Sequence, residues 1–345
     1  MKAHHQELLD TILKVIRTDY TGDIAIMLIY GSCVNGTAGD MSDLDMIFVP
    51  KTDKGRGLAG TFILNGCGYD LWGADWARLE RFAGYDDMMV SIIADSTLVH
   101  YAAEEDRQRY EALKKRAHDI ENGGLTTDLV RKAETHLATA TQYYGELCLS
   151  RSLTCAGGIL YEISDVMCLL NHTFLRFGTK RMLEELSALA RLPEGFGGVF
   201  EAVVNISTAE QAVAACKTLI NMVSAFMKQV KREVAGPAPL VDFAGLYEEI
   251  VSQWNKIHLC CEQGRAATAL LAAASLQREL DEVQDGLGVT IDDLQFIHAY
   301  DAQKLDNLAA AARKAQQAFV ELLKTNNISI IQFDSIPELE QSLRE

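Results

Sequence analysis

The chain opens on a helical pattern. Residues 2–18 place Leu8, Leu9, Ile12, Leu13, Val15 and Ile16 on one face with polar residues between them, the period of an amphipathic helix. Residues 24–30, Ile-Ala-Ile-Met-Leu-Ile-Tyr, are continuously apolar and short, which predicts a buried strand. A Gly-rich polar segment, 31–42, follows, and residues 43–49 predict a second strand stopped by Pro50. Two β-prone runs, Thr61–Leu64 and Cys67–Trp72, flank Asn65-Gly66, a strong hairpin signal. Asp75–Phe82 predicts a short helix with Asp75 as its cap. Residues 88–101 read as partly strand, and Glu104–Ile120 as an amphipathic helix.

The pattern changes near Asn122-Gly123-Gly124, a natural boundary. Beyond it the periodicity predicts helices over 126–150, 155–176, 179–190, 208–234, 243–262, 265–285, 291–298 and 302–325. Gly236-Pro237-Ala238-Pro239 reads as a linker, and Ile328–Phe333 as a short β-like run before a last helix. The expected class is α+β. An N-terminal α/β domain with a mixed sheet occupies 1–121, a helical bundle domain 122–236 and a second helical unit 240–345.

Composition narrows this picture. Of 345 residues, 48% are apolar and 23% charged, enough to bury a core in each domain. Acidic residues outnumber basic ones 48 to 32, a net charge of -16. So acidic a chain repels a phosphate backbone unless its basic residues are segregated, and no such segregation is visible; a long nucleic acid is not the expected partner. Small cationic ligands or metal-bound anions suit the charge. The eight cysteines form no C-x-x-C pair and sit in apolar contexts, as buried free thiols do in a reducing cytoplasm. Apolar runs such as Ala266–Ala274 are too short to span a bilayer, so no membrane segment is expected. No two histidines have helical zinc-ligand spacing, and there is no Walker-type phosphate loop.

One segment carries chemistry. Leu28-Ile29-Tyr30-Gly31-Ser32 is followed, ten residues on, by Asp43-Leu44-Asp45-Met46. A glycine at a strand end lets a phosphate approach the backbone, and the Ser32 hydroxyl with nearby amides can bond its oxygens. Carboxylates two apart on a strand share a face. They repel unless a cation lies between them, and oxygen ligands of that kind suit Mg²⁺ on a nucleoside triphosphate.

The segment resembles the signature of the nucleotidyltransferase (DNA-polymerase-β-like) superfamily: hydrophobic-Gly-Ser, a spacer, then Asp-hydrophobic-acid. It is most similar to that of the aminoglycoside (kanamycin-type) nucleotidyltransferases, with Gly31, Ser32, Thr37, Gly39, Ser42, Asp43 and Asp45 at the matching positions. Tyr69-Asp70-Leu71-Trp72 looks like the next strand of that family, and the likeness covers about residues 24–110. The resemblance implies two Mg²⁺ ions on Asp43, Asp45 and Asp70, with ATP or another nucleoside triphosphate as co-substrate. Gly31, Ser32, Thr37 and Ser42 would line the nucleotide site, with Asp75 and Glu80 as fallback metal ligands. It implies transfer of a nucleoside monophosphate, AMP foremost, to a hydroxyl of a small cationic acceptor such as an aminoglycoside-like antibiotic. A homodimer is implied as well. Transfer to a protein hydroxyl, as in antitoxin-like relatives, and a non-catalytic nucleotide-binding role are the alternatives.

The acceptor hydroxyl needs a base, and a carboxylate of the helical region is the expected one. Glu146, Glu162 and Asp165 are available, and Glu162 is preferred because it shares one helix face with Asp165. Lys180, in Gly178-Thr179-Lys180-Arg181, is the basic residue expected at the phosphates. Arg131 and His136 match a loose Arg-x4-His pattern that carries little information.

Overall fold

The computed structural model describes residues 2–39, 42–236, 243–287 and 291–344, and divides into two compact units, Met1–Val230 and Lys231–Glu345. The first unit holds a five-stranded mixed sheet followed by helices, which is the α+β class expected.

Helix α1 (Ala3–Asp19) buries Leu9, Ile12, Leu13 and Ile16 on one stripe, as its period requires. Strand β1 (Ile24–Tyr30) is buried almost throughout because it lies inside the sheet. A helical turn, α2 (Ser32–Asn35), precedes β2 (Asp45–Pro50), and a second turn, α3 (Asp53–Arg56), precedes β3 (Gly60–Leu64) and β4 (Cys67–Gly73). The sheet order is β3-β4-β2-β1-β5, where β5 is Thr97–Tyr101. Only the β2–β4 pair is parallel. Asn65 and Gly66, at φ 52 and 79, give the β3–β4 hairpin the twist its strands need.

Between β4 and β5 lie α4 (Trp76–Ala83) and α5 (Ser91–Ala94); the Asp75 carboxylate caps α4 by accepting the Arg78 amide at 2.8 Å. Helix α6 (Glu104–Gly123) packs on β1 and β5. Helices α7 (Thr127–Ser150) and α8 (Leu153–Leu170) then pair along their length. A 3₁₀ turn over Gly178–Arg181 leads into α9 (Met182–Ser187), and α10 (Phe196–Val204) and α11 (Ala209–Ala235) follow.

The second unit contains α12 (Leu246–Glu262), α13 (Ala266–Leu287), α14 (Leu305–Thr325) and α15 (Ile336–Ser342). Its core sets Trp254, Leu276, Leu280 and Phe319 among alanines, including Ala269, Ala273, Ala312 and Ala315. Small side chains there let helix backbones come close. Trp254 is wholly buried in this core.

Several expectations are corrected. Helix α8 stops at Leu170 and not at 176, because the Asn171 side chain bonds the Met167 and Arg191 carbonyls and His172 turns to φ 44. Residues 291–298 form two 3₁₀ turns, Asp292–Leu294 and Ile297–Ala299, in place of one helix. Their backbone is held by buried Gln277, which donates to the Leu294 carbonyl and accepts from the Phe296 and Ile297 amides. Helix α10 was not among the expected helices; it forms in spite of Gly197 and Gly198, burying Phe196, Phe200 and Val203. Ile328–Phe333 joins no sheet among the described residues. Helix α8 is also long and apolar enough to cross a membrane by length and composition, unlike any run noted from the sequence; 56% of that window is buried inside the fold. Its apolar side is core packing, against α7 above all. Most of the Pro-rich linker and Asp40 lie outside the described residues.

Candidate active site

Alternation decides which side chains meet. Leu44, Met46, Tyr69, Leu71, Met27 and Ile29 all turn into the core beneath α1. Their sequence neighbours Asp45, Asp70, Trp72 and Tyr30 therefore stand on the opposite face. Register aligns them. Tyr30 pairs with Asp45, the β2–β4 pairing begins one residue later at Met46↔Leu71, and Asp70 pairs with Thr61. Tyr30, Asp45, Asp70 and Thr61 thus form one transverse row across four strands.

Asp43 was expected within β2, but the strand begins at Asp45. The reason is in β1, whose last pair is Tyr30↔Asp45 before Gly31 leaves the sheet at φ 70, ψ -151. Asp43 still lies close: its charge is felt at Asp45, Tyr30 and Cys33. A cavity of about 330 Å³ opens at the β3–β4 hairpin, lined by Asp43 and Asp70 together with Thr61, Phe62, Ile63, Gly68 and Tyr69.

Gly31 suits its left-handed conformation, and any side chain there would make the Asp45 carboxylate turn aside. A Cβ there would run into the Asp45 carboxylate, 2.8 Å from its Cγ. Next to it the buried Ser32 hydroxyl meets no partner at hydrogen-bond geometry, its interaction with the weakly polar Cys33 thiol falling short of one. An orphaned buried hydroxyl is costly unless a ligand answers it.

The electrostatics are those of crowded carboxylates. Burial, then the Asp43 charge, pushes the Asp45 carboxyl up to about 6; Lys180 and the Ser32 amide pull it partly back. Burial pushes the Tyr30 phenol up to about 12, and the charges of Asp45, Asp70 and Asp43 add to that. A cation among these groups would relieve both effects. Among the described residues no three His, Cys, Asp or Glu side chains stand close enough together to hold a metal ion between them, so Asp43, Asp45 and Asp70 do not form a ready-made three-acid site.

Other expected site residues are placed as follows. Exposed Lys180, on the 3₁₀ turn before α9, is near enough to Asp45 to favour its ionised form. The Thr37 hydroxyl donates to Asn35 Oδ1 at 2.6 Å, and the Ser42 hydroxyl accepts the Gly39 amide at 2.8 Å, so both shape the loop. Glu80 pairs with Arg109 at 2.7 Å.

Glu162 belongs to a second group of titratable residues on α7 and α8. Its Oε2 lies 2.7 Å from His136 Nδ1, with Asp165 Oδ2 at 3.7 Å from the same nitrogen. Burial alone would lower the His136 pKa, but the Glu162 bond and the Asp165 charge outweigh it and raise it. Burial pushes the Asp165 carboxyl up to about 7, against the pull of His136, with Glu162 and Asp87 adding to the rise. Sequence reading set His136 aside because a contact 26 residues away is invisible in a local pattern. Tyr30 and Trp72 were missed for the same reason: Trp72 Nε1 donates to the Tyr30 hydroxyl at 2.9 Å, across the intervening strand β2.

No protein-family model matches the chain, and no curated protein matches it. Among solved structures it is similar to a nucleotidyltransferase-like protein from Exiguobacterium sibiricum, at 10% identity and a TM-score of 0.39. That likeness covers 66% of this chain and 78% of the other. It is too slight to carry an argument about either fold or activity.

Proposed function

We propose that this chain is a Mg²⁺-dependent nucleotidyltransferase that moves a nucleoside monophosphate from a nucleoside triphosphate, ATP foremost, to a hydroxyl of a small molecule. The observation that carries the reading is the strand-end arrangement in which Gly31 abuts Asp45, the buried Ser32 hydroxyl lacks a partner at hydrogen-bond geometry, the Asp43 charge acts on Asp45, and register sets Asp70 in the same transverse row. Packing alone gives no reason to crowd acids against an unanswered hydroxyl.

Asp43, Asp45 and Asp70 would hold Mg²⁺, which when bound neutralises their charge and polarises the phosphates. The Gly31 backbone leaves room for a phosphate, and Ser32 donates its free hydroxyl to a phosphate oxygen. Lys180 adds positive charge on the same side. The acceptor oxygen attacks the α-phosphorus; a P–O bond forms as the bond to pyrophosphate breaks, and pyrophosphate leaves. Glu162, paired with His136, is the group proposed to take the hydroxyl proton. A cationic, aminoglycoside-like amino alcohol suits both the net charge of -16 and a cavity bordered by Asp43 and Asp70.

The test is Mg²⁺-dependent pyrophosphate release from each nucleoside triphosphate. The acceptors are aminoglycosides, lincosamides and a metabolite extract, with Asp43→Asn and Asp45→Asn alongside. Release that requires one acceptor and drops at least about 10³-fold in both variants is expected. Full activity in Asp45→Asn would sink the metal assignment. Binding of Mg-nucleotide without any release would favour a protein acceptor or a binding-only role.

A further inference from the structure

The row of side chains beside the acids ends on β1 in a hydroxyl that no step above uses. Tyr30 and Asp45 are cross-strand partners, so their side chains stand together on one face. Trp72 lies two residues beyond Asp70 on β4 and shares that face. Its indole N–H donates to the Tyr30 hydroxyl at 2.9 Å, a bond that joins β4 to β1 over the face of β2. The indole is braced from behind by the Arg78 guanidinium, 5.1 Å from its ring.

This bond has a directional consequence. A tyrosine hydroxyl carries one proton and accepts through its lone pairs. Trp72 is a donor only, so it occupies a lone pair and leaves the proton of Tyr30 for another acceptor. Among the described residues that proton has no acceptor at hydrogen-bond distance. The acids of this face accept only, so an anionic ligand arriving there depends on the few donors at hand. Tyr30, Ser32, Thr61 and Lys180 are among those donors, and Trp72 holds the first of them in one orientation.

We propose that Tyr30 is a ligand-binding residue whose hydroxyl, oriented by Trp72, donates a hydrogen bond to an anionic phosphoryl oxygen of the nucleotide. This rests on the reading of the acidic face as a nucleotide site. Its consequence is a split between two ligands. Tyr30 contributes to nucleotide affinity and contributes nothing to the affinity for Mg²⁺ alone, which the carboxylates set.

Calorimetric titration separates the two. The wild type, Tyr30→Phe and Trp72→Phe are each titrated with Mg²⁺ alone, then with ATP, CTP, GTP and UTP in saturating Mg²⁺. Tyr30→Phe keeps the ring and removes one oxygen, and circular dichroism checks each fold. The expected result is about tenfold weaker nucleotide binding in Tyr30→Phe, the low end for a hydrogen bond to a charged group, with Mg²⁺ affinity within twofold of wild type. Trp72→Phe retains the phenol but not its orientation, so it should lose about threefold, less than Tyr30→Phe. Should Tyr30→Phe not fold, Trp72→Phe reports on the same bond, and wild-type nucleotide affinity in it overturns the proposal. Equal nucleotide binding by wild type and Tyr30→Phe overturns the proposal and leaves the nucleotide site standing. An equal loss of Mg²⁺ and nucleotide binding overturns it too, because the phenol would then act through Asp45. A wild type that binds no Mg-nucleotide overturns both.

Discussion

Replacing Gly31 by alanine tests the geometry of the acidic site without presupposing any ligand. The residue sits at φ 70, ψ -151, a region that residues with a Cβ avoid at a cost of about 1–3 kcal/mol. The new methyl would also displace the Asp45 carboxylate, whose Cγ lies 2.8 Å from the Cβ position. Turning that side chain off its rotamer adds about 0.5–1.5 kcal/mol. Against this, alanine restricts the unfolded chain and returns about 0.4–1 kcal/mol. The balance is a loss of about 2 kcal/mol in urea denaturation at pH 7. Gly36, left-handed at φ 79, ψ 13 with nothing within 4 Å of a Cβ, is a control for a positive φ without a clash, in a region that alanine tolerates better than that of Gly31. Repeating Gly31→Ala in an Asp45→Ala background closes a double-mutant cycle. The close approach predicts a coupling of about 1 kcal/mol, with Gly31→Ala costing less once Asp45 is gone. Additive effects, within about 0.3 kcal/mol, would refute the contact and with it the crowding on which the site is built.

Other outcomes are expected from the same reasoning. Asp165 binds its proton up to about pH 7 in the folded chain but releases it near 3.8 when unfolded. Its stabilising contribution is therefore present at low pH and lost as pH rises through 7, and raised His136 adds loss of the same sign above 6.5. The full separation is worth about 4 kcal/mol at most; since His136 and Glu162 share the charge, about 2 kcal/mol is expected between pH 5 and 8. Urea midpoints in Asp165→Asn should be flatter over that range, and an unchanged slope counts against the pairing. Gln277→Met leaves the Phe296 and Ile297 amides unanswered in the second core, which should cost about 2–3 kcal/mol in a thermal melt. A loss below about 0.5 kcal/mol would mean those amides find other partners.

Local chemistry carried much of this protein. The continuous apolar run of β1, the Asn65-Gly66 hairpin, the Asp75 cap and the long amphipathic helices are each dictated within one turn or one strand pair, and the structure has them. The Gly31, Ser32, Asp43, Asp45 spacing likewise identified a strand end with two acids, because the determinants lie within 15 residues of one another. What the sequence could not contain was register. Whether Asp70 stands beside Asp45 depends on a parallel pairing between strands separated by α3 and a hairpin, and a shift of one residue would turn Asp70 away. Register also brings Trp72 onto Tyr30. Helix pairing brings His136 onto Glu162, so the carboxylate expected to act as base stands hydrogen-bonded to an imidazole. The hydrogen bonds of Asn171 and Gln277 ended or divided helices whose periodicity ran on. Periodicity reports which face is apolar; only the packed chain decides which polar groups are left facing each other, since that choice is made by burial over distances no local pattern spans.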